Sequence, residues 1–361
     1  MNQNIKINVA VAGATGYAGC ELIKLLARHS SVNLVALAHS RNTEDALISK
    51  TFPELAGVCD MMVGNIDAIL NYDELDAAFL ALPHCAAMAV AKPLLARGVK
   101  VIDLSADYRL RDVAVYEKWY DVEHKDTANL NDAVYGLCEH YREKIKSANL
   151  IANPGCYPTS VLLPLIPLLK AGLVKGENII VDSKSGATGA GRKTSAALQY
   201  CEVDESFKAY GVFSHRHTPE IDQELSVAAD EKINVIFTPH LLPLQRGIQS
   251  TIYVDCKQQE NPPTHQHSPV SAFIKGGLSN EIQNALEAAY KDDFFVRVKP
   301  EGTTVEIKNV ANTNFCDISF FVSGNKLILT SVIDNLLKGA SGQALQNFNI
   351  MYGFDETEGL I

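Results

Sequence analysis

One cysteine stands where a protein could build a nucleophile. Cys156 follows the turn Asn153-Pro-Gly and precedes an apolar segment with prolines near its start, a pattern that predicts a helix beginning beside it. A thiol at a helix N-terminus meets the positive end of the helix dipole and free backbone N–H groups, and both favour the nucleophilic thiolate. We therefore predict that Cys156 is catalytic and that Asn153 contacts the substrate. The alternative is that Cys156 is a small buried hydrophobic residue. We predict that role for most of the other cysteines.

The densest cluster of titratable side chains is the segment SHRHTPE at 214–220. A histidine can carry the proton that thiol chemistry moves, and a neighbouring carboxylate can set its tautomer. We predict His217 as the acid-base group and His215 and Glu220 as substrate contacts, although the residues alone do not separate the two histidines. Metal chelation by the histidine pair is the alternative, but no third ligand stands at a recognisable spacing, so no metal is expected.

A glycine-rich segment, SGATGAGRK at 185–193, ends in two cations. Backbone N–H groups beside Arg192 and Lys193 would suit a phosphate, so we predict that both bind the substrate phosphate and that Ser185 and Gly186 contact the cofactor. The alternative is a flexible turn with solvated charges.

The segment DLSADYRL at 103–110 follows a predicted strand, at the edge of the sheet where ligands bind. Ser105 and Arg109 could bind an anionic substrate there. A surface pair of Asp and Arg explains the segment equally well, and the sequence does not decide between them.

The turn GATGYAG at 13–19 is a variant of the dinucleotide fingerprint. A β-branched run from Ile5 to Ala12 precedes it and an apolar helical pattern from Glu21 to His29 follows it, which is the strand and helix context that the fingerprint requires. Pyrophosphate can accept hydrogen bonds from the backbone at such a helix N-terminus. The predicted cofactor contacts are Gly13, Thr15, Gly16, Tyr17, Ala18 and Gly19.

The end of the second strand, Val32 to Ala38, favours NADP(H) over NAD(H). NAD-binding proteins place Asp or Glu there, whereas this chain has His39-Ser40-Arg41. Ser40 and Arg41 could hold the 2′-phosphate. The alternative is that Arg41 is a solvated loop charge near Glu44 and Asp45.

Alternating strand and helix patterns in the first 150 residues predict a Rossmann-type, doubly wound parallel sheet. Its later strands are expected at Ala77 to Leu82, Val99 to Leu104 and Leu150 to Ala152. After Asn153 the pattern changes to an α+β domain with a mixed sheet. It contains a helix from Tyr157 to Ala171 and strands at Asn178 to Ser183, Asn234 to Thr238 and Gln249 to Cys256.

The chain is therefore predicted to be an α/β protein with two domains. Residues 1–155 form the NADP-binding domain, residues 156–332 form the catalytic and dimerisation domain, and a C-terminal segment 333–361 completes the first domain. Within that segment we expect a helix from Asn335 to Met351, and we expect a polar surface loop from Lys257 to Ser268.

Composition narrows the class of protein further. A length of 361 residues suits two domains, and the net charge of -10 argues against general binding to nucleic acid or to an anionic membrane. The 8 cysteines contain no C-x-x-C pair, which argues against structural zinc and a disulfide framework. The N-terminus lacks a leader pattern and no apolar run is long enough for a membrane span. We predict a cytoplasmic protein.

Taken together, these segments resemble the N-acetyl-gamma-glutamyl-phosphate reductase family of the aspartate-semialdehyde dehydrogenase-like superfamily. Besides the segments quoted above, the resemblance covers VYGL at 134–137, ANPGCYPT at 152–159, FTPHLLPLQRGI at 237–248, NTNFCDI at 312–318 and KGASGQALQN at 338–347. One departure is Cys138-Glu139, where the family has Pro-Glu.

The resemblance implies an activity and site. It implies NADPH-dependent reduction of N-acetyl-gamma-glutamyl phosphate to N-acetylglutamate 5-semialdehyde, with release of phosphate, through a thioester on Cys156 in arginine biosynthesis. It also implies that the segment around Ala340 to Gln343 returns to the nicotinamide site, with Asn335, Gly342 and Gln343 as contacts. The expected assembly is a homodimer or homotetramer built on the second domain's sheet.

Two alternatives stay open on the residues alone. The same chemistry could act on aminoadipyl or aspartyl phosphate, because spacing does not reveal the length of a substrate. A module that senses NADP without turnover is the second. A phosphorylating glyceraldehyde-type dehydrogenase fits less well, since that family carries Ser-Cys-Thr-Thr-Asn-Cys rather than Asn-Pro-Gly-Cys-Tyr.

Overall fold

The computed structural model describes residues 6–40, 44–257 and 277–361. Two predicted features lie wholly or largely outside these ranges: Arg41, and the polar loop expected after Lys257. Within the described residues the chain forms two sheets, one of eight strands and one of seven. The prediction of an α/β protein with a parallel-rich first sheet and a mixed second sheet is confirmed.

The first sheet uses the strands of the first 152 residues. They are β1 (Ile7–Ala12), β2 (Val32–Ala38), β3 (Ala46–Leu47), β4 (Met62–Gly64), β5 (Ala77–Leu80), β6 (Lys100–Asp103), β7 (Val134–Tyr135) and β8 (Leu150–Ala152). The helices between them are α1 (Tyr17–Leu26), α2 (Ile48–Thr51), α3 (Asp67–Leu70), α4 (Met88–Ala96), α5 (Val113–Tyr120), α6 (Thr127–Asp132) and α7 (Cys138–Lys146).

The strand order of this sheet is β3-β4-β2-β1-β5-β6-β8-β7, and its pairs are parallel except for β3 with β4. Successive strands run outward in opposite directions from β1 and β5, so the order reverses between them. A crevice at the carboxyl ends of strands forms at such a reversal, and it is where open α/β sheets bind ligands. The turn after β1 therefore lies where a nucleotide is expected.

The second sheet is built after the eighth strand. Its strands are β9 (Ile180–Ser185), β10 (Lys208–Ala209), β11 (Ile236–Leu241), β12 (Ile248–Asp255), β13 (Val296–Val298), β14 (Cys316–Ser323) and β15 (Lys326–Ile333), in the order β10-β11-β9-β12-β15-β14-β13. The helices are α8 (Cys156–Lys170), α9 (Tyr200–Val203), α10 (Thr218–Ala229), α11 (Leu278–Tyr290) and α12 (Gly342–Tyr352). Short 3₁₀ turns lie at Pro53–Leu55, Ala187–Ala190, Ala196–Leu198 and Ile307–Asn309.

Helix α8 packs against one face of the second sheet. Every residue from Tyr157 to Leu169 is buried, which is typical of a helix that is apolar on all sides. Along β12 the residues alternate between buried and partly exposed, so the covered face carries Ile248 and Ile252 while the opposite face carries Tyr253. One face of this sheet is therefore core and the other is partly open.

The C-terminal segment returns to the first sheet. The expected helix from Asn335 begins later, at Gly342, because Asp334 Oδ1 accepts the N–H groups of Leu336 and Leu337 and a π-helical turn, Leu337–Ser341, follows. Helix α12 then packs against α1, α7 and β6. The predicted boundaries at 155/156 and 332/333 stay a prediction. No helix within the described ranges combines the length and the apolar character that crossing a membrane requires.

Candidate active site

Cys156 is the first residue of helix α8, and Gly155 is its N-cap. Strand β8 ends at Ala152, so the predicted sequence of strand, turn and helix is present. Among the described residues no side chain caps this helix, which leaves N–H groups of its first turn free for a ligand. The partly exposed thiol thus lies beside a set of backbone donors.

A cavity of about 380 Å³ opens over this thiol. Its wall includes both predicted histidines, and the two residues at the end of β9 that were predicted to contact the cofactor. The principal lining residues are Cys156, Tyr157, Ser185, Gly186, Tyr210, His215 and His217. The cavity therefore brings together the nucleophile and the acid-base candidates.

Burial raises the pKa of the Cys156 thiol to about 11, although Arg109 and the backbone N–H groups of Tyr157 and Cys156 act in the opposite direction. The helix N-terminus was expected to favour the thiolate, and burial opposes that effect. The helix end and the nearby guanidinium stabilise the anion, but the loss of water around it costs more. At neutral pH the group is a thiol that needs a base.

Two neutral imidazoles stand close to that thiol. Burial, with contributions from His215, Arg109 and His84, lowers the pKa of His217 well below its usual value, and burial with Arg216 lowers the pKa of His215 to about 4. A neutral imidazole can accept a proton. Both rings therefore have the protonation state that a general base requires.

The two histidines differ in their contacts. The backbone N–H of His217 donates to Nδ1 of His215 at 3.1 Å, whereas Nδ1 of His217 is buried and finds no hydrogen-bond partner among the described residues. Nε2 of His217 lies 2.6 Å from the point where a Cβ on Gly155 would stand, so only glycine fits before the cysteine. His217 thus touches the turn that carries the nucleophile and keeps a free nitrogen.

Glu220 and Arg109 bond to the turn at 153–155 that precedes Cys156. Oε1 of Glu220 accepts the backbone N–H of Gly155 at 2.8 Å, and its Oε2 lies 3.3 Å from Nη1 of Arg109. Nε of Arg109 donates to the Asn153 carbonyl at 2.7 Å. All of these groups are buried. Glu220 bonds to neither imidazole, so it does not set the tautomer of His217.

Tyr135 belongs to the same network, and the sequence analysis did not identify it. Its hydroxyl donates to Oε1 of Glu220 at 2.8 Å. A tyrosine on a two-residue strand carries no chemical signal of its own, and only the fold brings it to the carboxylate. The proposed substrate roles of Arg109, Asn153 and Glu220 stay predictions, although their polar atoms are largely occupied within the protein.

Ser105 is part of a buried turn. Its hydroxyl donates to Oδ2 of Asp103 at 2.8 Å and accepts the backbone N–H of Asp107 at 3.1 Å. Burial, with Asp107 nearby, raises the pKa of Asp103 to about 7. The hydroxyl therefore stabilises this turn, and a contact with the substrate stays a prediction.

The π-helical turn 337–341 lies between the nucleophile and the glycine turn. A Cβ on Gly339 would stand 2.7 Å from the Cys156 Cβ, the Ala340 carbonyl accepts from Asn153 Nδ2 at 3.2 Å, and the Ser341 hydroxyl donates to the Ala18 carbonyl at 2.8 Å. The late segment thus reaches both halves of the site, in the region that the resemblance implied.

The other residues expected from this late segment are buried and bonded to the protein. Nε2 of Gln343 donates to the Thr159 hydroxyl at 2.9 Å, and Oδ1 of Asn335 accepts the Gly247 N–H at 2.8 Å. A Cβ on Gly342 would stand 2.3 Å from Asn314 Oδ1. These contacts fix the segment; direct contact with a cofactor stays a prediction.

The glycine turn fits a pyrophosphate. Gly13 has φ +83°, and a Cβ there would stand 2.1 Å from the Ala81 carbonyl oxygen, while a Cβ on Gly19 would stand 2.3 Å from the Gly13 oxygen. Gly16 is the N-cap of α1, and within the described chain no side chain caps that helix. Close backbone packing and free N–H groups together form an anion site.

The remaining predicted contacts lie around this turn. Thr15, Tyr17 and Ala18 belong to it, and Ser40 is exposed just after β2. Nη1 of Arg192 donates to the Thr15 carbonyl at 3.3 Å and its guanidinium lies over Phe52, so this cation lies at the glycine turn. Lys193 is exposed. Arg41 lies outside the described residues.

Three further residues near the site were not among those predicted from the sequence. The hydroxyls of Tyr157 and Tyr210 lie 2.9 Å apart in the cavity wall. Arg216 is exposed, its guanidinium carbon lies 5.3 Å from the Tyr120 ring centre, and within the described ranges it has no ion-pair partner. The position of Arg216 between two histidines was the signal that the sequence offered, because a cation there attracts any anion that reaches the histidines.

Comparison with known proteins gives two family matches. Residues 8–148 match the family described as "Semialdehyde dehydrogenase, NAD binding domain", and residues 156–335 match "Semialdehyde dehydrogenase, dimerisation domain". The chain is 47% identical over 356 residues to an N-acetyl-gamma-glutamyl-phosphate reductase of Desulforapulum autotrophicum, covering 98% of both chains. It is 44% identical over 359 residues to a probable chloroplastic N-acetyl-gamma-glutamyl-phosphate reductase of Arabidopsis thaliana, covering 98% of this chain and 84% of that one.

Among solved structures, aspartate semialdehyde dehydrogenase II from Vibrio cholerae matches with a TM-score of 0.69 at 16% identity, covering 96% of this chain and 99% of that one. The aspartate semialdehyde dehydrogenase with NADP from Candida albicans matches with a TM-score of 0.64 at 14% identity, covering 96% and 98%. These two similarities show the shared fold.

Proposed function

Because this chain belongs to the N-acetyl-gamma-glutamyl-phosphate reductase family, we propose how its residues divide the work of that reaction. The chain reduces N-acetyl-gamma-glutamyl phosphate to N-acetylglutamate 5-semialdehyde and releases phosphate. One observation carries the assignment of roles: Cys156, at an uncapped helix N-terminus, lines one cavity with two neutral imidazoles.

Cys156 is the nucleophile. Its sulfur forms a bond to the acyl carbon, the bond between that carbon and the phosphate oxygen breaks, and phosphate leaves with the electron pair. Because the Cys156 pKa is about 11, the thiol proton must pass to a base during attack. The N–H groups of the first turn of α8 face the oxygen on which negative charge develops.

His217 is that base. Its ring is neutral, it touches Gly155, and its Nδ1 has no partner within the described chain, so it can receive the thiol proton and pass it to the departing phosphate. In the second half of the reaction the ring takes a proton from water, protonates the oxygen of the hemithioacetal and, when the carbon–sulfur bond breaks, removes that proton again and returns it to the sulfur.

NADPH is the reductant that we propose. The glycine turn at 13–19 would hold the pyrophosphate, Ser40 and Arg41 would hold the 2′-phosphate, and the segments around Ser185, Asn335 and Gly342 would contact the nicotinamide. When bound, the cofactor supplies a hydride to the thioester carbon. Arg192, which bonds to Thr15, adds positive charge beside the phosphates.

The substrate is a small polyanion, so it needs cations within a chain of net charge -10. Lys193 and Arg216, for which no ion-pair partner lies within the described chain, supply positive charge near the cavity, while Arg109 and Glu220 keep the Cys156 turn in place. We propose a homodimer or homotetramer assembled through the second sheet, in the cytoplasm.

Oxidation of N-acetylglutamate semialdehyde tests substrate and cofactor together. We expect the reaction to require phosphate and to prefer NADP over NAD. Cys156→Ser should abolish turnover while the protein still binds NADPH, whereas a sensing module would lose nothing. Equal rates with aspartyl, aminoadipyl and N-acetylglutamyl phosphates in the forward assay would contradict the assigned specificity.

A further inference from the structure

A buried ion pair joins helix α7 to the π-helical turn whose residue Gly339 packs against the nucleophile. Nζ of Lys338 lies 2.5 Å from Oε1 of Glu139, and both side chains are 0% exposed. Glu139 belongs to helix α7 beside the first sheet, and Lys338 belongs to the π-helical turn that follows the last strand of the second sheet. The reaction steps described above use neither residue.

The surroundings of the pair are polar on one side only. Nζ of Lys338 also donates to Oε1 of Gln346 at 2.8 Å, and its third side faces the ring of Phe295, whose centre is 5.8 Å away. Nε2 of Gln346 donates to Oε1 of Glu139 at 3.3 Å. Gln346 also accepts from Nδ2 of Asn314 at 3.1 Å and donates to Oε2 of Glu356 at 3.0 Å. The pair thus belongs to a buried polar network that spans α7, the π-helical turn and α12, where each partner depends on the others.

A buried ion pair of this kind is weak evidence that the pair stabilises the folded protein. Removing two charges from water costs nearly as much as their attraction returns, so a buried pair often contributes little net free energy of folding. Its attested use is to select one arrangement among several of similar free energy. What Lys338 selects is the conformation of the π-helical turn, and π-helical turns are rare and concentrate at functional sites.

The residues that follow Lys338 in the π-helical turn contact the reacting groups. Gly339, the next residue, packs so closely on Cys156 that a Cβ would stand 2.7 Å from the Cys156 Cβ. The following two residues bond to the Cys156 turn and to the glycine turn, through Ala340 with Asn153 and through Ser341 with Ala18. A shift of Lys338 therefore moves both the wall against the thiol and the link to the nucleotide.

We propose that the Lys338–Glu139 pair positions the π-helical turn so that the acylated sulfur and the nucleotide site keep the spacing that the reduction step needs. Both are positioning residues, because neither touches the reacting atoms. The proposal rests on the proposed role of Cys156. It predicts that loss of the pair slows reduction more than substrate binding.

The test removes both charges at once, because one charge left alone in the interior would threaten folding. The variant is Lys338→Met/Glu139→Gln, in which both side chains are neutral and of similar volume. The matched control is Lys146→Met/Glu143→Gln, which makes the same changes in an exposed pair on the same helix α7. Both variants are compared with the parent for thermal midpoint, kcat and KM with N-acetyl-gamma-glutamyl phosphate.

We expect the buried double variant to fold, to keep KM for the acyl phosphate within about threefold and to lose roughly tenfold or more in kcat, since a misplacement of about 1 Å can have such an effect. The kinetic isotope effect with 4-deuterated NADPH should rise, because hydride transfer becomes slower than the other steps. The exposed double variant should match the parent in all measurements.

A second measurement needs no bound cofactor. Iodoacetamide labelling followed by mass spectrometry should show faster alkylation of Cys156 in the buried double variant, because the wall formed by Gly339 has loosened. Cys256, buried elsewhere, should stay protected and so show that the chain is folded. Unchanged kcat, isotope effect and Cys156 labelling in a folded variant would overturn the proposal. Faster labelling of Cys256 together with Cys156 would also overturn the proposal, because it would indicate that the whole chain has loosened. The proposed function fails instead if the parent enzyme does not reduce the acyl phosphate, or if the Cys156→Ser variant still does.

Discussion

Cys156 combines a helix N-terminus, which stabilises an anion, with burial, which destabilises one. The first effect was predictable because a turn and a helix start are visible in the residues. The second was not, because burial depends on what the rest of the chain places over the sulfur, including Gly339 from nearly two hundred residues later. The position of Cys156 at a helix N-terminus was therefore predictable, but the resting protonation state of its thiol was not.

The reactivity of this thiol should depend on pH in a particular way. Burial raises the pKa of Cys156 to about 11, so the thiolate fraction should still be rising at pH 9 to 10. We expect the rate of alkylation of Cys156 by iodoacetamide in the free enzyme to increase roughly tenfold per pH unit below that pKa. A cysteine peptide, the control, levels off near pH 8.5. A plateau for Cys156 below pH 8 would contradict the assigned burial effect.

The two histidines can be separated by replacing each in turn. His217→Gln should lower kcat by roughly 10²- to 10⁴-fold, the usual effect of removing an acid-base group. His215→Gln should have a smaller effect, because Nδ1 of His215 already accepts the His217 N–H and its role is to hold that backbone. Steady-state kinetics with the acyl phosphate measure both. A larger loss in the His215 variant would reverse the assignment.

The helices and strands of the first half follow the sequence patterns closely. Val32 to Ala38 and Leu150 to Ala152 have the predicted bounds, because largely apolar runs ended by polar residues define buried strands. Helix α1 begins at Tyr17 rather than Glu21, since Gly19 lies within its first turn. The π-helical turn before α12 could not be predicted, because contacts with Asp334, Asn153 and Ala18 determine it and its sequence resembles an ordinary helix.

The glycine turn offers a matched pair of substitutions. Gly19→Ala places a Cβ 2.3 Å from the Gly13 carbonyl oxygen, whereas Gly16→Ala places one 3.4 Å from the same oxygen. We expect the first to weaken NADPH binding roughly tenfold or more, since overpacked backbone must shift, and the second to change it little. Titration by nucleotide fluorescence measures both constants. Equal effects would mean that close packing of the turn does not set affinity.

The open face of the second sheet carries an apolar row across five strands. Register places Ile236 beside Ile180, Ile180 beside Tyr253, Tyr253 beside Ile328 and Ile328 beside Phe321. Four of these side chains are about 40% exposed. Exposed apolar patches of this kind mark contact surfaces. The family resemblance implied an assembly on this sheet, but the row itself depends on strand register, which no single strand reveals.

Self-association should therefore depend on this row. Tyr253→Lys should weaken it roughly tenfold or more, because a cation replaces an aromatic side chain at the centre of the contact. Val227→Lys makes the same kind of change at an exposed site on α10 and is the control. Sedimentation equilibrium gives the association constants. If both variants associate like the parent, the assembly uses another surface.

Helix α12 has a consequence for synthesis on the ribosome. It is made after every strand of both sheets, yet Leu345, Phe348 and Met351 belong to the same core as Val9 and Leu22. A nascent chain that has already formed the first sheet still lacks this cover, and Ala18 still lacks its bond from Ser341. The nucleotide-binding half thus reaches its final form only after residues 342–352 have left the exit tunnel, and until then its apolar surface is open to chaperones.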